Sequence, residues 1–118
     1  MSVSDAVKLA KLYKGTSAGN SGAPFYYFVV KVKTAAGSIY NGDLRNVTIE
    51  DLSDSNVTIL IYSLSKTASK NPNFENKTDL AVGDTIIIYG APFTYTNGTL
   101  EFSTGTYVYS INGVLTAA

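Results

Sequence analysis

Histidine and cysteine are both absent from the 118 residues, and this decides much of the available chemistry. Without imidazole or thiol the chain cannot assemble Ser-His or Cys-His nucleophile pairs, nor the usual zinc and haem ligand sets. Carboxylates are what remain. Glu50, Asp51 and Asp54 are close in sequence, and a carboxylate pair is the equipment of glycoside hydrolysis. They fall at a hairpin turn, however, where acidic side chains accept local backbone hydrogen bonds. The stretch Asp51 to Asn56 spaces oxygen donors somewhat as a calcium loop does, but lacks the interior Gly and distal Glu of an EF-hand. Gly15, Gly19 and Gly22 have no preceding strand and no following helix or Lys-Ser/Thr, so they form no phosphate loop. The sequence predicts no catalytic residue, no metal site and no cofactor, hence a protein that is not an enzyme.

Aromatic residues are the stronger signal, with nine Tyr and five Phe. Tyr27, Tyr62, Phe93 and Tyr95 fall on outward strand faces or on a late hairpin, and such rings stack on bases and sugar rings alike. Lys31, Lys33 and Arg45 share the outward faces of the first two long strands and could meet phosphate. Nine Lys plus Arg against nine Asp plus Glu leave no net charge. No long-range field therefore draws the chain to polyanions, and the three cations read more simply as a solvated sheet face. Tyr27, Lys31, Lys33, Arg45, Tyr62, Phe93 and Tyr95 are the candidate ligand-binding residues. The Asn-x-Thr triplets at Asn46, Asn56, Asn76 and Asn97 match a glycosylation acceptor, as chance alone provides in an Asn- and Thr-rich chain.

These residues need strands to position them. Ser2-Val3-Ser4-Asp5 fits a capping box, and Val3, Ala6, Val7, Leu9, Ala10 and Tyr13 form one apolar arc opposite Lys8, Lys11 and Lys14. A short helix over about 4–14 follows, stopped by Gly15, then a polar loop over 15–24 expected to be mobile. From Phe25 to Thr34 the chain alternates, with Phe28, Val30 and Val32 on one face and Tyr27, Val29, Lys31 and Lys33 on the other. A second strand runs from about Arg45 through Val47 and Ile49. Asp51 then occupies an inward position while Leu52 is apolar, which predicts a β-bulge near Glu50-Asp51. Val57, Ile59 and Ile61 return along the core face, with Thr58, Leu60 and Tyr62 outward.

A long crossover over 63–79 leads to Thr85-Ile86-Ile87-Ile88-Tyr89, whose unbroken apolar run predicts a fully buried central strand. Asn97-Gly98 predicts a type I′ hairpin turn, and Thr106 to Asn112 supplies the last strand. The predicted core is Phe28, Val30, Val32, Val47, Ile49, Val57, Ile59, Ile61, Ile86 and Ile88. A chain of this length buries about 65% of its unfolded surface around one core, so residues 1–118 read as a single domain with its barrel over 25–113. No apolar run reaches the ~20 residues of a membrane span, and the N-terminus lacks the order of a signal peptide.

Three strands, a crossover and two strands joined through a protruding hairpin is the order of the OB-fold, a five-stranded Greek-key barrel. Asn46 to Tyr62, Asp79-Leu80-Ala81-Val82-Gly83-Asp84, Tyr89-Gly90, Tyr95-Thr96-Asn97-Gly98-Thr99 and Ser110-Ile111-Asn112-Gly113 together resemble the OB-fold modules of exported and surface proteins in Bacteroides-like bacteria. The opening Ser2-Val3-Ser4-Asp5-Ala6 resembles their leading helix. The fold expectation is thus all-β, a five-stranded OB-type barrel with a short N-terminal helix. The resemblance implies an extracytoplasmic setting, periplasmic or cell-surface, although no signal is present in this chain. It also implies a non-catalytic binding or spacer module contacting a glycan or a neighbouring protein domain through its outer sheet face and hairpin. The alternative is a single-stranded nucleic-acid-binding protein, which OB architecture alone favours.

Overall fold

Ser2 opens the first element by closing the predicted capping box: its hydroxyl accepts from the Asp5 N–H at 3.1 Å, and the Asp5 carboxylate accepts from the Ser2 N–H at 2.9 Å. The computed structural model describes residues 1–15 and 21–117. The helix, α1, spans Val3–Ala10 and buries Val3, Ala6 and Ala10 while Lys8, Lys11 and Lys14 stay exposed. It stops four residues before the expected Lys14 because a strand captures its exit. Lys14–Gly15 form β1, which pairs in parallel with β7 (Pro92–Tyr95). Thr94 donates through its hydroxyl to the Ala10 carbonyl at 2.8 Å and through its N–H to the Tyr13 carbonyl at 2.8 Å. These bonds satisfy backbone acceptors that another helical turn would have used. Of the expected mobile loop, residues 16–20 lie outside the described residues.

The remaining strands are β2 (Tyr26–Thr34), β3 (Ser38–Tyr40), β4 (Asp43–Glu50), β5 (Thr58–Leu64), β6 (Thr85–Gly90), β8 (Leu100–Phe102), β9 (Tyr107–Ile111) and β10 (Val114–Leu115). All ten belong to one sheet ordered β1-β7-β8-β5-β4-β2-β6-β9-β10, with β3 paired to β4 beside that path. The protein is therefore mostly β with one short helix, as expected, but its strand ladder is open and twice as rich in strands as a five-stranded barrel. The extra strands are short, such as the three-residue β3. At one place beyond the named strands, Ser65 bridges Tyr107 in parallel, where the Ser65 N–H donates to Thr106 at 3.1 Å and the Val108 N–H to Ser65 at 2.9 Å.

Period-two alternation sets the core. Phe28, Val30, Val32, Val47, Ile49, Ile59, Ile61, Ile86 and Ile88 are all buried together with the inner residues of α1, and Val57 packs half-buried against them. Burying each such side chain contributes about 1.5–3 kcal/mol. The β6 run is not buried on both faces: Ile86 and Ile88 face the core, while Thr85, Ile87 and Tyr89 are half-exposed. Its outer face is one of the surfaces described below.

The bulge expected near Glu50-Asp51 does not form. Asp51 stays in phase, pointing inward and buried, while Leu52 is exposed. The reason is hydrogen bonding: its carboxylate accepts from the Ser4 N–H at 3.1 Å, the Ser53 N–H at 3.2 Å and the Ser53 hydroxyl at 2.7 Å. The first of these ties the β4–β5 turn to an otherwise unpaired N–H in the first turn of α1. Register shifts occur instead between Val32 and Thr34 on β2 and between Ile87 and Ile88 on β6.

Candidate functional site

The β7–β8 hairpin turns through Gly98 at φ 87°, whose N–H donates to the Tyr95 carbonyl at 2.8 Å, while the Tyr95 N–H donates to Thr99 at 2.8 Å. Asn97 does not take a positive φ, so this is a longer turn closed by a left-handed glycine, not the expected type I′ turn. Asn41-Gly42 and Asn112-Gly113, with φ of 49° and 80° and of 49° and 83°, do have the paired positive values of that type. The longer loop lets the hairpin stand beside β5, where β8 pairs in parallel and sets Glu101 next to Leu60.

Between hairpin and sheet lies a groove of about 500 Å³ lined by Asn46, Leu60, Tyr62, Tyr95, Asn97, Thr99 and Glu101. Small-ligand sites commonly measure about 300–1,000 Å³. Asn46 enters the lining from a left-handed residue in β4, φ 59°, a conformation Asn tolerates. Glu101 is 8% exposed. The single ion pair among the described residues joins Lys70 to Asp43, so none reaches Glu101. Burial holds the Glu101 carboxyl above the usual glutamate range, and no described partner offsets it. A buried carboxylate with this environment in a concave site marks a functional candidate.

Arg45 stands beside the groove but is already engaged. Its guanidinium carbon lies 4.8 Å from the Tyr40 ring centre and 4.9 Å from that of Tyr62. Its Nη1 also donates to the Tyr62 hydroxyl at 2.9 Å. One cation–π contact and a hydrogen bond tie the Tyr62 ring to Arg45, and the second cation–π contact ties Arg45 to Tyr40.

The structure therefore brings Tyr62 and Tyr95 together in the groove, with Arg45 supporting Tyr62. It does not bring the other candidates there. Phe93, expected as an exposed stacking platform, is fully buried. Its ring meets Tyr95 edge-on at 6.3 Å, and a Cβ placed on Gly15 would come within 3.1 Å of its Cδ2. Lys33 is exposed and donates from Nζ to the Ser55 carbonyl at 2.7 Å, joining β2 to the β4–β5 turn. Lys31 is exposed on β2 in register with Glu50 and Thr85.

Tyr27 belongs to a second aromatic surface, on β2, β6 and β9. Its ring lies 4.6 Å from Tyr89 and 5.4 Å from Tyr109; Tyr89 is in turn 5.5 Å from Phe25 and 5.7 Å from Tyr107. Burial, with Tyr27 close by, raises the Tyr107 hydroxyl above the usual tyrosine range. Sequence reasoning missed this cluster because its members lie on three strands whose register was unknown. It missed Glu101 because β8 has three residues, too few for alternation to reveal an outward position. Glu101 between Leu100 and Phe102 was the available signal.

Among the described residues no group of three or more carboxylates is placed to hold a metal ion, and no helix is long and apolar enough to cross a membrane. No family model, no curated protein and no solved structure matches the chain.

Proposed function

We propose that this chain is a non-catalytic binding module of OB type that takes a glycan strand in the groove between the β7–β8 hairpin and the outer face of β4 and β5. The OB reading is supported by order: β2, β4, β5, a crossover, β6 and β9, with β7 and β8 as the protruding hairpin. In that reading the Ser65–Tyr107 bridge is the contact by which β5 meets β9 and the five main strands complete a barrel. In this reading its work lies outside the cytoplasm, a setting supported by the resemblance of its sequence to modules of exported and surface proteins.

One observation carries the ligand assignment: Tyr62 and Tyr95 converge with Asn46, Asn97, Thr99 and Glu101 on a single concave surface. Sugar rings have an apolar face that stacks on aromatic rings and a rim of hydroxyl groups that pair with amides, hydroxyls and carboxylates. The same lining opposes a phosphate backbone. Glu101 presents negative charge, the nearby Arg45 is held between two tyrosine rings, and the net charge is zero.

Calorimetric titration with linear oligosaccharides and with short single-stranded oligonucleotides, at low and high salt, tests this reading. Saccharide affinity is expected to change little with salt. It should fall about tenfold in Tyr95→Ala or Tyr62→Ala, since one stacking contact contributes ~1–3 kcal/mol. Tight oligonucleotide binding with a steep salt slope would overturn the proposal in favour of nucleic acid.

A further inference from the structure

Glu101 narrows the class of glycan. Resting on the glycan reading above, we infer that the sugar seated against Glu101 carries a free, protonated amine, so that the ligand is an amino-sugar chain. Glu101 is a buried residue, 8% exposed, whose side chain lines the groove and has no ion-pair partner among the described residues. A carboxylate partly removed from water without a cationic partner is unfavourable, and the group that best relieves it is a cation that also donates hydrogen bonds. Among the described residues that line the groove there is no Lys or Arg. Arg45 cannot swing in without giving up both ring contacts and its bond to the Tyr62 hydroxyl.

The rest of the lining selects the bearer of that amine. An ammonium next to Tyr62 and Tyr95 gains from the negative faces of the rings as well as from Glu101. Asn46, Asn97 and Thr99 supply amide and hydroxyl groups around the same space. This suits a ring bearing several hydroxyls beside its amine better than the bare aliphatic stem of a lysine. A metal ion fits less well, because no further carboxylate lines the groove among the described residues.

The experiment compares tetramers of glucosamine with their fully N-acetylated counterparts, binding to the wild-type protein and to Glu101→Gln, by calorimetry at a pH where the amine is protonated. The wild type should prefer the free-amine tetramer by roughly tenfold or more, as one charge-assisted hydrogen bond in a sheltered site provides. The preference should vanish in Glu101→Gln while affinity for the acetylated tetramer is kept. If the glutamine variant does not fold, the wild-type ratio decides alone. Equal affinity of the wild type for both tetramers overturns the amine inference and leaves the glycan reading standing. Binding of lysine-rich peptides with neither tetramer bound overturns both, and so does failure of every saccharide to bind.

Discussion

The groove beside β5 and the tyrosine face on β2, β6 and β9 are both aromatic, and they differ in what their rings touch. On the tyrosine face each ring meets other rings, with centroids 4.6 to 5.7 Å apart across neighbouring strands. Tyr27 and Tyr109 are 50% and 43% exposed, yet their contacts are already made within the protein. In the groove the rings of Tyr62 and Tyr95 border open space shared with the Glu101 carboxylate, which has no ion-pair partner among the described residues. Exposure alone would have ranked the tyrosine face first. Convergence of ring faces with polar groups on one concave surface is the better guide to a site.

The most severe way to break this comparison is to remove what supports both regions. Phe102 is fully buried beside Glu101, and its ring meets Phe28 of β2 edge-on at 5.1 Å. Phe102→Ala should reduce unfolding free energy by about 3–5 kcal/mol, a large share of the ~5–15 kcal/mol of an ordinary domain. Urea denaturation measures it, and a loss below ~1 kcal/mol would mean that β8 is not anchored as described. A smaller effect separates the two surfaces. Tyr109→Ala should cost about 0.5–1.5 kcal/mol through lost ring contacts and leave saccharide affinity unchanged. A drop in affinity would put the ligand on the tyrosine face instead.

The smallest effects concern pH, where two carboxylates act with opposite sign. Asp51 is held below its ordinary value of 3.8, chiefly by the Ser53 hydroxyl and then by the Ser4 N–H. Its stabilisation is present above that value and is lost as pH falls through the lowered one. Glu101 is held above its ordinary value of 4.5 by burial. Its ionised form is disfavoured in the folded state, so a penalty is absent below 4.5 and grows as pH rises through the raised value. Glu101→Gln should thus be more stable than wild type at neutral pH and lose that advantage on acidification, whereas Asp51→Asn should be less stable at neutral pH and converge with wild type in acid. Thermal unfolding across the acidic range checks both, and parallel curves for either variant would contradict its assigned environment.

The core was readable because burial in β2, β4, β5 and β6 follows one rule, alternate residues inward, and Phe28, Val30 and Ile88 obey it. Features set by contacts distant in sequence were not readable. Phe93 has the pattern of an exposed hairpin residue, and its burial comes from packing near Gly15. The helix ends at Ala10 because Thr94 takes its carbonyl, and no local signal marks that bond across 84 residues. Asp51 points inward against its polarity because α1 offers an N–H there. Of the candidate site, Tyr62 and Tyr95 were legible as aromatics in outward positions. Glu101 was not, because its meaning lies in what surrounds it.

The junction at Ser65 has a kinetic meaning. β2 meets β6 over six residue pairs, and β4 meets β5 over six. Ser65, one residue past the end of β5, and Tyr107 of β9 are joined by a single bridge and its two backbone hydrogen bonds. Local opening follows the ladder with least to break, so the molecule should breathe along this line first, with the Ser65 and Val108 amides exchanging with solvent deuterium ahead of those in the β2–β6 ladder. One of the two aromatic surfaces lies on each side of that seam. The same fluctuation would therefore part the groove from the tyrosine face while leaving each of them whole.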